Sequence, residues 1–136
     1  AGKKELTRDM VEEVMGAPSG ALVTKMIEAL AARDAASALS AIDTALAYNI
    51  DMAVYAKLIM QAIRHVLLLR NAPAMRDRVA AETTPEELTY REKLAKEKTI
   101  TSETLLAFLD AYQSIPRAHL PQIPLEVAII RLLGEK

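Results

Sequence analysis

Two histidines are the only imidazole side chains that the sequence offers for catalysis or metal binding. His65 falls within a long apolar segment, and His119 lies in a stretch flanked by prolines. A metal site or a catalytic base on a helix usually needs a second histidine or a glutamate about one turn away. Neither histidine has such a neighbour, so we expect both to be solvated and to have no catalytic or metal-binding role.

Adjacent carboxylates, Glu12 with Glu13 and Glu86 with Glu87, do not favour acid–base chemistry either. Consecutive side chains on a helix point in different directions, so neither pair can share a proton. The glycine cluster at residues 16–20 lacks the Lys-Ser or Lys-Thr of a phosphate-binding loop, and the chain has no cysteine. We therefore predict no catalytic, cofactor-binding or metal-binding residue, and a small helical enzyme or ligand binder is the least favoured class.

The charge balance disfavours nucleic acid as a direct partner. Charged residues make up 26% of the chain but nearly cancel to a net charge of -1, whereas nucleic-acid-binding domains usually carry a basic excess. Apolar residues reach 51%, yet no uninterrupted apolar run approaches the roughly 18 to 20 residues that span a bilayer. We expect no membrane association, and the absence of cysteine fits a reducing cytoplasm.

The elements that position these side chains are predicted to be helices throughout. Residues that break helices cluster at 16–20, 73, 83–85 and 116–124, and between them apolar residues recur at helical spacing. We find no apolar/polar alternation typical of a half-buried strand. The pattern predicts an all-α bundle of about six or seven helices, covering residues 7–15, 18–33, 35–48, 52–71, 85–98, 102–115 and 124–134.

Capping residues fix several of these boundaries. Asp34 and Asp51 are predicted N-caps, and Thr84 followed by a proline and by Glu87 has the spacing of a capping box. We predict no helix in the charged stretch between Pro73 and Thr84. For the helix at 102–115 the predicted inner face consists of Leu105, Phe108, Leu109 and Tyr112.

Two helices carry more apolar surface than one side of a small domain needs. On the 52–71 helix the apolar residues fill roughly 220° of the circumference, about twice the stripe of an ordinary surface helix. The last helix is apolar nearly all round. We therefore expect part of each helix to face a partner, and the candidate interface residues are Met52, Tyr55, Ile59, Met60, Ile63, Leu67, Val127, Ile130 and Leu133.

Several stretches, taken in order, resemble the region that follows the ATPase module in bacterial DNA polymerase III gamma and tau subunits. They are Leu6-Thr7 with Val11 and Val14 before Gly16, residues 21–30, Asp34 with Ala38-Leu39 and Ile42-Asp43, and Asn49-Ile50-Asp51. The sharpest match is the tail at residues 120–132, which has the proline-then-Leu-Glu-x-Ala pattern of that family's closing helix. The similarity covers residues 6–133.

The resemblance implies an orthogonal or up-down, collar-type helical domain at residues 18–136, preceded at 1–17 by the end of the ATPase lid or a linker helix. In this family, collar domains of five subunits form a ring that holds the ATPase modules in order while the sliding clamp is loaded on DNA. The implied partners are other clamp-loader subunits of the gamma/tau, delta and delta-prime types, or further copies of this chain. ATP and Mg²⁺ would bind an upstream domain, because the chain, which starts at Ala1 without methionine, is expected to be part of a longer cytoplasmic ATPase subunit.

A second function, of a different class, stays open at this point. The domain could be an adaptor that binds a helix or peptide of an unrelated partner through a groove beside the 52–71 helix. A P-loop and an arginine-finger Ser-Arg-Cys motif encoded upstream would favour the collar over the adaptor.

Overall fold

The computed structural model describes residues 17–134, with side chains from residue 20 onward. It contains seven α-helices in this range: α1 (Ala17–Ala32), α2 (Ala35–Ala47), α3 (Met52–Asn71), α4 (Arg76–Ala81), α5 (Pro85–Ala95), α6 (Ser102–Ser114) and α7 (Ile123–Ile129). Two 3-10 turns, Pro73–Met75 and Ile115–Arg117, lie before α4 and after α6, and a π-helical turn, Ile130–Gly134, continues α7. Residues 17–134 include no strand, so the predicted all-α class is confirmed. The predicted helix at 7–15 lies outside the described residues.

The predicted N-caps are confirmed by their hydrogen bonds. Asp34 accepts from the backbone amide of Ser37 at 3.1 Å, and Asp51 accepts from two amides at the start of α3 at 2.8 and 3.1 Å. At α5 the Thr84 hydroxyl accepts from the amide of Glu87, whose carboxylate accepts from the amide of Thr84. Each contact satisfies an amide that the first turn of a helix leaves without an intrahelical partner.

Helix α3 is the central element and packs against α1, α5 and α6. Four of its residues predicted to face a partner, Met52, Tyr55, Ile59 and Ile63, are instead buried in the core, and the Tyr55 hydroxyl donates to the carbonyl of Leu22 at 2.9 Å. This corrects the prediction, because three neighbouring helices cover most of the wide apolar arc within one chain. Among the described residues α3 is the one helix long and apolar enough to cross a membrane, and the bundle uses it as a core helix.

The inner face of α6 differs from the predicted one. Its buried residues are Thr104, Ala107, Phe108 and Ala111, whereas the predicted face also had Leu105, Leu109 and Tyr112 inside. α6 packs between α3 and α7, and the small side chains of Ala107 and Ala111 allow close approach of the helices. The resulting orientation of α6 about its own axis leaves Leu109 exposed.

The charged stretch after Pro73 contains the short helix α4, which the sequence analysis did not predict. Val79 is its one buried residue, so the stretch has too few apolar positions to show helical periodicity. α5 follows and packs against α3, but it ends at Ala95 instead of continuing to residue 98.

Candidate interaction surfaces

The largest group of exposed aliphatic side chains lies on α6, α7 and the π-helical turn. We call it the C-terminal apolar face, and it consists of Leu106, Leu109, Ile123, Val127 and Ile130. Leu106 is 54% exposed, Val127 46% and Ile130 41%. The opposite side of α7 is inside the core, where Leu125, Ala128 and Ile129 are buried. Each helix therefore has one packed side and one apolar side in contact with solvent.

An ion pair joins the two exposed sides. α6 packs against α7, and Arg131 donates from Nη1 to Oδ2 of Asp110 at 3.2 Å. Leu106 precedes Asp110 by one helical turn, and Val127 precedes Arg131 by one turn, so each aliphatic residue shares a helix side with its charged neighbour. The exposed sides of the two helices thus form one surface around this ion pair.

The π-helical turn is held at its far end by a residue from the α1–α2 link. Arg33 donates from Nη2 to the carbonyl of Leu132 at 3.2 Å. Leu132 and Leu133 pack against the core from partly covered positions. The hydrogen bond from Arg33 holds the π-helical turn against the bundle, beside the C-terminal apolar face.

A groove beside α3 forms a second surface. Its volume is about 470 Å³. Its apolar lining is Val54, Leu58, Met60 and Leu105, and its polar lining is Lys57, Gln61, Arg64 and Glu82. We call it the α3 groove. Val54 is 49% exposed, although the next two residues of the helix, Tyr55 and Ala56, are fully buried. The groove lies where the alternative adaptor function requires one.

The nine predicted interface residues are therefore divided by the fold. The four named above are buried, and Met60, Leu67 and Leu133 are partly covered by the bundle. Val127 and Ile130 are exposed, as an interface role requires. Sequence reasoning missed Ile123 and Leu106, although Ile123, Val127 and Ile130 follow the i, i+4, i+7 spacing of one helix side.

The prediction that His65 is solvated is wrong. His65 is 1% exposed and lies between Glu82, the residue that follows α4, and a buried arginine of α5. Its Nε2 is 2.8 Å from Oε1 of Glu82, and its Nδ1 is 2.9 Å from Nη1 of Arg91. The partners are 17 and 26 positions away in the sequence, so no local spacing could show them. His119, by contrast, is exposed as predicted.

The hydrogen bonds of this cluster give it a structural role. Burial lowers the pKa of His65, and the positive charge of Arg91 acts in the same direction, although the Glu82 carboxylate opposes both. The hydrogen bond from His65 lowers the pKa of Glu82, and burial lowers that of Arg91. Both ring nitrogens of His65 are engaged, so the imidazole is not available as a base. The cluster joins α3 to α5 and to the end of α4.

Neither a metal nor a nucleotide finds its usual ligands here. Across residues 20–134 no three His, Cys, Asp or Glu side chains come together in a way that could hold a metal ion. The sequence offers no phosphate-binding lysine after the glycine cluster at 16–20.

The family model described as DNA polymerase III subunits gamma and tau domain III matches residues 6–136. No curated protein and no solved structure matches the chain.

Proposed function

Because the chain belongs to the family of domain III of the gamma and tau subunits of DNA polymerase III, we propose that it is an oligomerisation domain, the collar of a clamp-loader subunit. The observation that carries the proposal is the match of this family over residues 6–136, nearly the whole chain. In this function the domain itself is not an enzyme. It holds ATPase modules in a ring with subunits of the gamma/tau, delta and delta-prime types in the cytoplasm, while ATP and Mg²⁺ bind elsewhere in the parent subunit.

The C-terminal apolar face is the surface that we propose for contact with a neighbouring subunit. Exposed aliphatic side chains grouped on one surface lose contact with water when a partner covers them, and such groups commonly mark protein interfaces. The Arg131–Asp110 ion pair in its middle supplies polar atoms that can orient the neighbour. Leu133 and Met60, two of the predicted interface residues, are partly covered and would contribute at most at the edge.

The test is assembly of the clamp loader with a double variant, Val127→Asp with Ile130→Asp, in the full-length subunit. Both side chains are exposed, so the carboxylates stay in water and the fold should persist. We expect the variant to lose its place in the complex, measured by size-exclusion chromatography with light scattering after mixing with the other subunits. Unchanged circular dichroism and melting temperature would show that the loss is one of association.

Val54→Asp is the matched control, because Val54 is an aliphatic residue of similar exposure that lies in the α3 groove. We expect it to assemble normally. Full assembly of the Val127→Asp/Ile130→Asp variant would exclude the C-terminal apolar face as the interface. Failure of the unmodified subunit to assemble with any clamp-loader subunit would refute the collar function itself.

A further inference from the structure

We propose that the α3 groove binds an acidic helical peptide segment, in which two aliphatic side chains enter the groove and neighbouring carboxylates pair with Lys57 and Arg64. The proposal concerns a surface separate from the C-terminal apolar face and does not depend on the collar function. Its occupant is a partner segment of this chemistry, and a second copy of the chain is the competing occupant.

The apolar floor of the groove fits small aliphatic anchors. Val54 is half exposed, and Leu58 and Leu105 beside it are partly covered, so a ligand side chain would complete the burial of all three. The volume of about 470 Å³ is within the range of pockets that enclose small ligands or a few side chains. No aromatic residue lines the groove, which favours aliphatic anchors over stacking ligands such as nucleic-acid bases.

The polar edge of the groove is a row of hydrogen-bond donors. Lys57, Gln61 and Arg64 follow i, i+4, i+7 spacing, so they form one line along the exposed side of α3. Seven residues of helix extend about 10.5 Å, which is also the distance between residues two turns apart on a ligand helix. A helical segment with carboxylates seven positions apart can therefore meet both cations at once.

The charges around the groove favour an anionic ligand. Lys57 forms no ion pair with another described residue, and Arg64 lies 3.8 Å from Glu82. Glu82 is the one acidic residue of the lining, and its Oε1 already accepts the hydrogen bond of His65 at 2.8 Å. The lining thus carries two cations and one committed carboxylate, a local excess of positive charge on a chain whose net charge is -1. Two cations are too few to hold a nucleic-acid backbone tightly.

The probe is a pair of fluorescein-labelled helical peptides of about 14 residues. One carries two leucines four positions apart and two glutamates seven positions apart on the adjacent side, and its twin has lysines in place of the glutamates. Fluorescence anisotropy with the isolated chain should show binding of the glutamate peptide, at least about tenfold tighter than the lysine peptide, and weakening as salt is added.

Charge reversal provides the sharpest variant. Lys57→Glu with Arg64→Glu should invert the preference, so that the lysine peptide binds more tightly, because the two cations of the groove become carboxylates. Both substituted side chains are exposed, so we expect the fold to be retained. Val54→Asp should weaken both peptides by about tenfold or more, because a carboxylate then occupies the apolar floor. Leu120→Asp, at a similarly exposed aliphatic residue outside the groove and outside the C-terminal apolar face, should leave the affinity unchanged.

Three results would overturn the proposal. The first is no binding of the glutamate peptide, and the second is equal binding of the two peptides with no inversion by charge reversal. The third is loss of self-association of the chain in the Val54→Asp variant, since a second copy would then be the occupant. None of these results changes the expectation for Val127→Asp/Ile130→Asp, so the two proposals fail or stand separately.

Discussion

At the scale of single residues, the tautomer of His65 follows from its two neighbours. A guanidinium can only donate hydrogen bonds, so Nδ1 of His65 must accept from Arg91. Its Nε2 therefore carries the hydrogen and donates to Glu82. The imidazole is neutral in this arrangement, and protonation of Nδ1 would place a hydrogen and a positive charge against Arg91.

This arrangement predicts a loss of stability in mild acid. The pKa of His65 is lower in the folded chain than its ordinary value of 6.5, so the unfolded chain binds this proton more readily. The free energy of unfolding should thus be highest above pH 6.5 and fall as the pH drops toward the folded pKa, by at most about 1.4 kcal/mol per pH unit. Glu82, whose pKa is also lowered, adds a second loss below its ordinary value of 4.5.

His65→Gln tests the assignment, because a glutamine can accept from Arg91 and donate to Glu82 without taking up a proton. Urea denaturation between pH 7.5 and 5 should show a shallower decline for this variant than for the unmodified chain. The matched control is His119→Gln, whose exposed site should leave the decline as it was. If His65→Gln had the same pH dependence as the unmodified chain, His65 would not be the titrating group.

At the scale of helices, the sequence correctly predicted the helix starts that depend on contacts between neighbouring residues. Helix α3 starts at Met52 and helix α5 starts at Pro85, each after an N-cap whose side chain accepts from a backbone amide no more than three residues away. Residue types and spacing are therefore enough to predict both starts. Which side of a helix is covered depends on helices far away in the chain. The four α3 residues assigned to an interface, and Leu109 of α6, were placed wrongly for this reason.

The position at which α5 ends is also set by a residue far away in the sequence. Arg70 of α3 donates to the carbonyls of Ala95 at 2.9 Å and Ile100 at 2.6 Å, and a third bond goes to the carbonyl of Glu97. These carbonyls lie at and beyond the last turn of α5, where intrahelical partners are missing. The guanidinium of Arg70 therefore holds the α5–α6 link against α3. As a result α5 ends at Ala95, although the residue types at 96–98 are compatible with a helix.

We expect Arg70→Met to destabilise the domain by about 2 kcal/mol, because three charge-assisted hydrogen bonds are lost while the apolar stem is kept. Arg70→Lys should recover only part of this, since an ammonium cannot match the planar fork of a guanidinium. Urea denaturation gives the free energies, and hydrogen exchange of residues 96–100 should become faster. The control is Arg117→Met, whose exposed side chain should change stability by less than about 0.5 kcal/mol. Equal effects at the two positions would contradict the fastening role of Arg70.

At the scale of the whole molecule, α6 connects the two surfaces. Leu105 lines the α3 groove, whereas Leu106 and Leu109 belong to the C-terminal apolar face. Consecutive residues of a helix are about 100° apart, so Leu105 and Leu106 can serve different surfaces on one element. A ligand in the groove and a neighbouring subunit can therefore contact the same helix without sharing a residue.

The charge distribution of the molecule predicts no tight binding to duplex DNA, even though the family belongs to a replication complex. Affinity for DNA arises mainly from cations that replace the counterions of the phosphates, and this chain has 17 Lys and Arg residues against 18 Asp and Glu residues. Arg131 and Arg76 are paired with carboxylates, and Arg70 is occupied by backbone carbonyls. Lys57 and Arg64, which line the α3 groove, form only a small basic site. Anisotropy titration of a labelled duplex at about 150 mM salt should show no saturable binding below about 10 μM. The proposed clamp-loader role then requires that DNA be contacted by other parts of the complex. Sub-micromolar binding that weakens steeply with added salt would contradict this prediction, and its loss in the Lys57→Glu/Arg64→Glu variant would identify the α3 groove as the DNA-contacting surface.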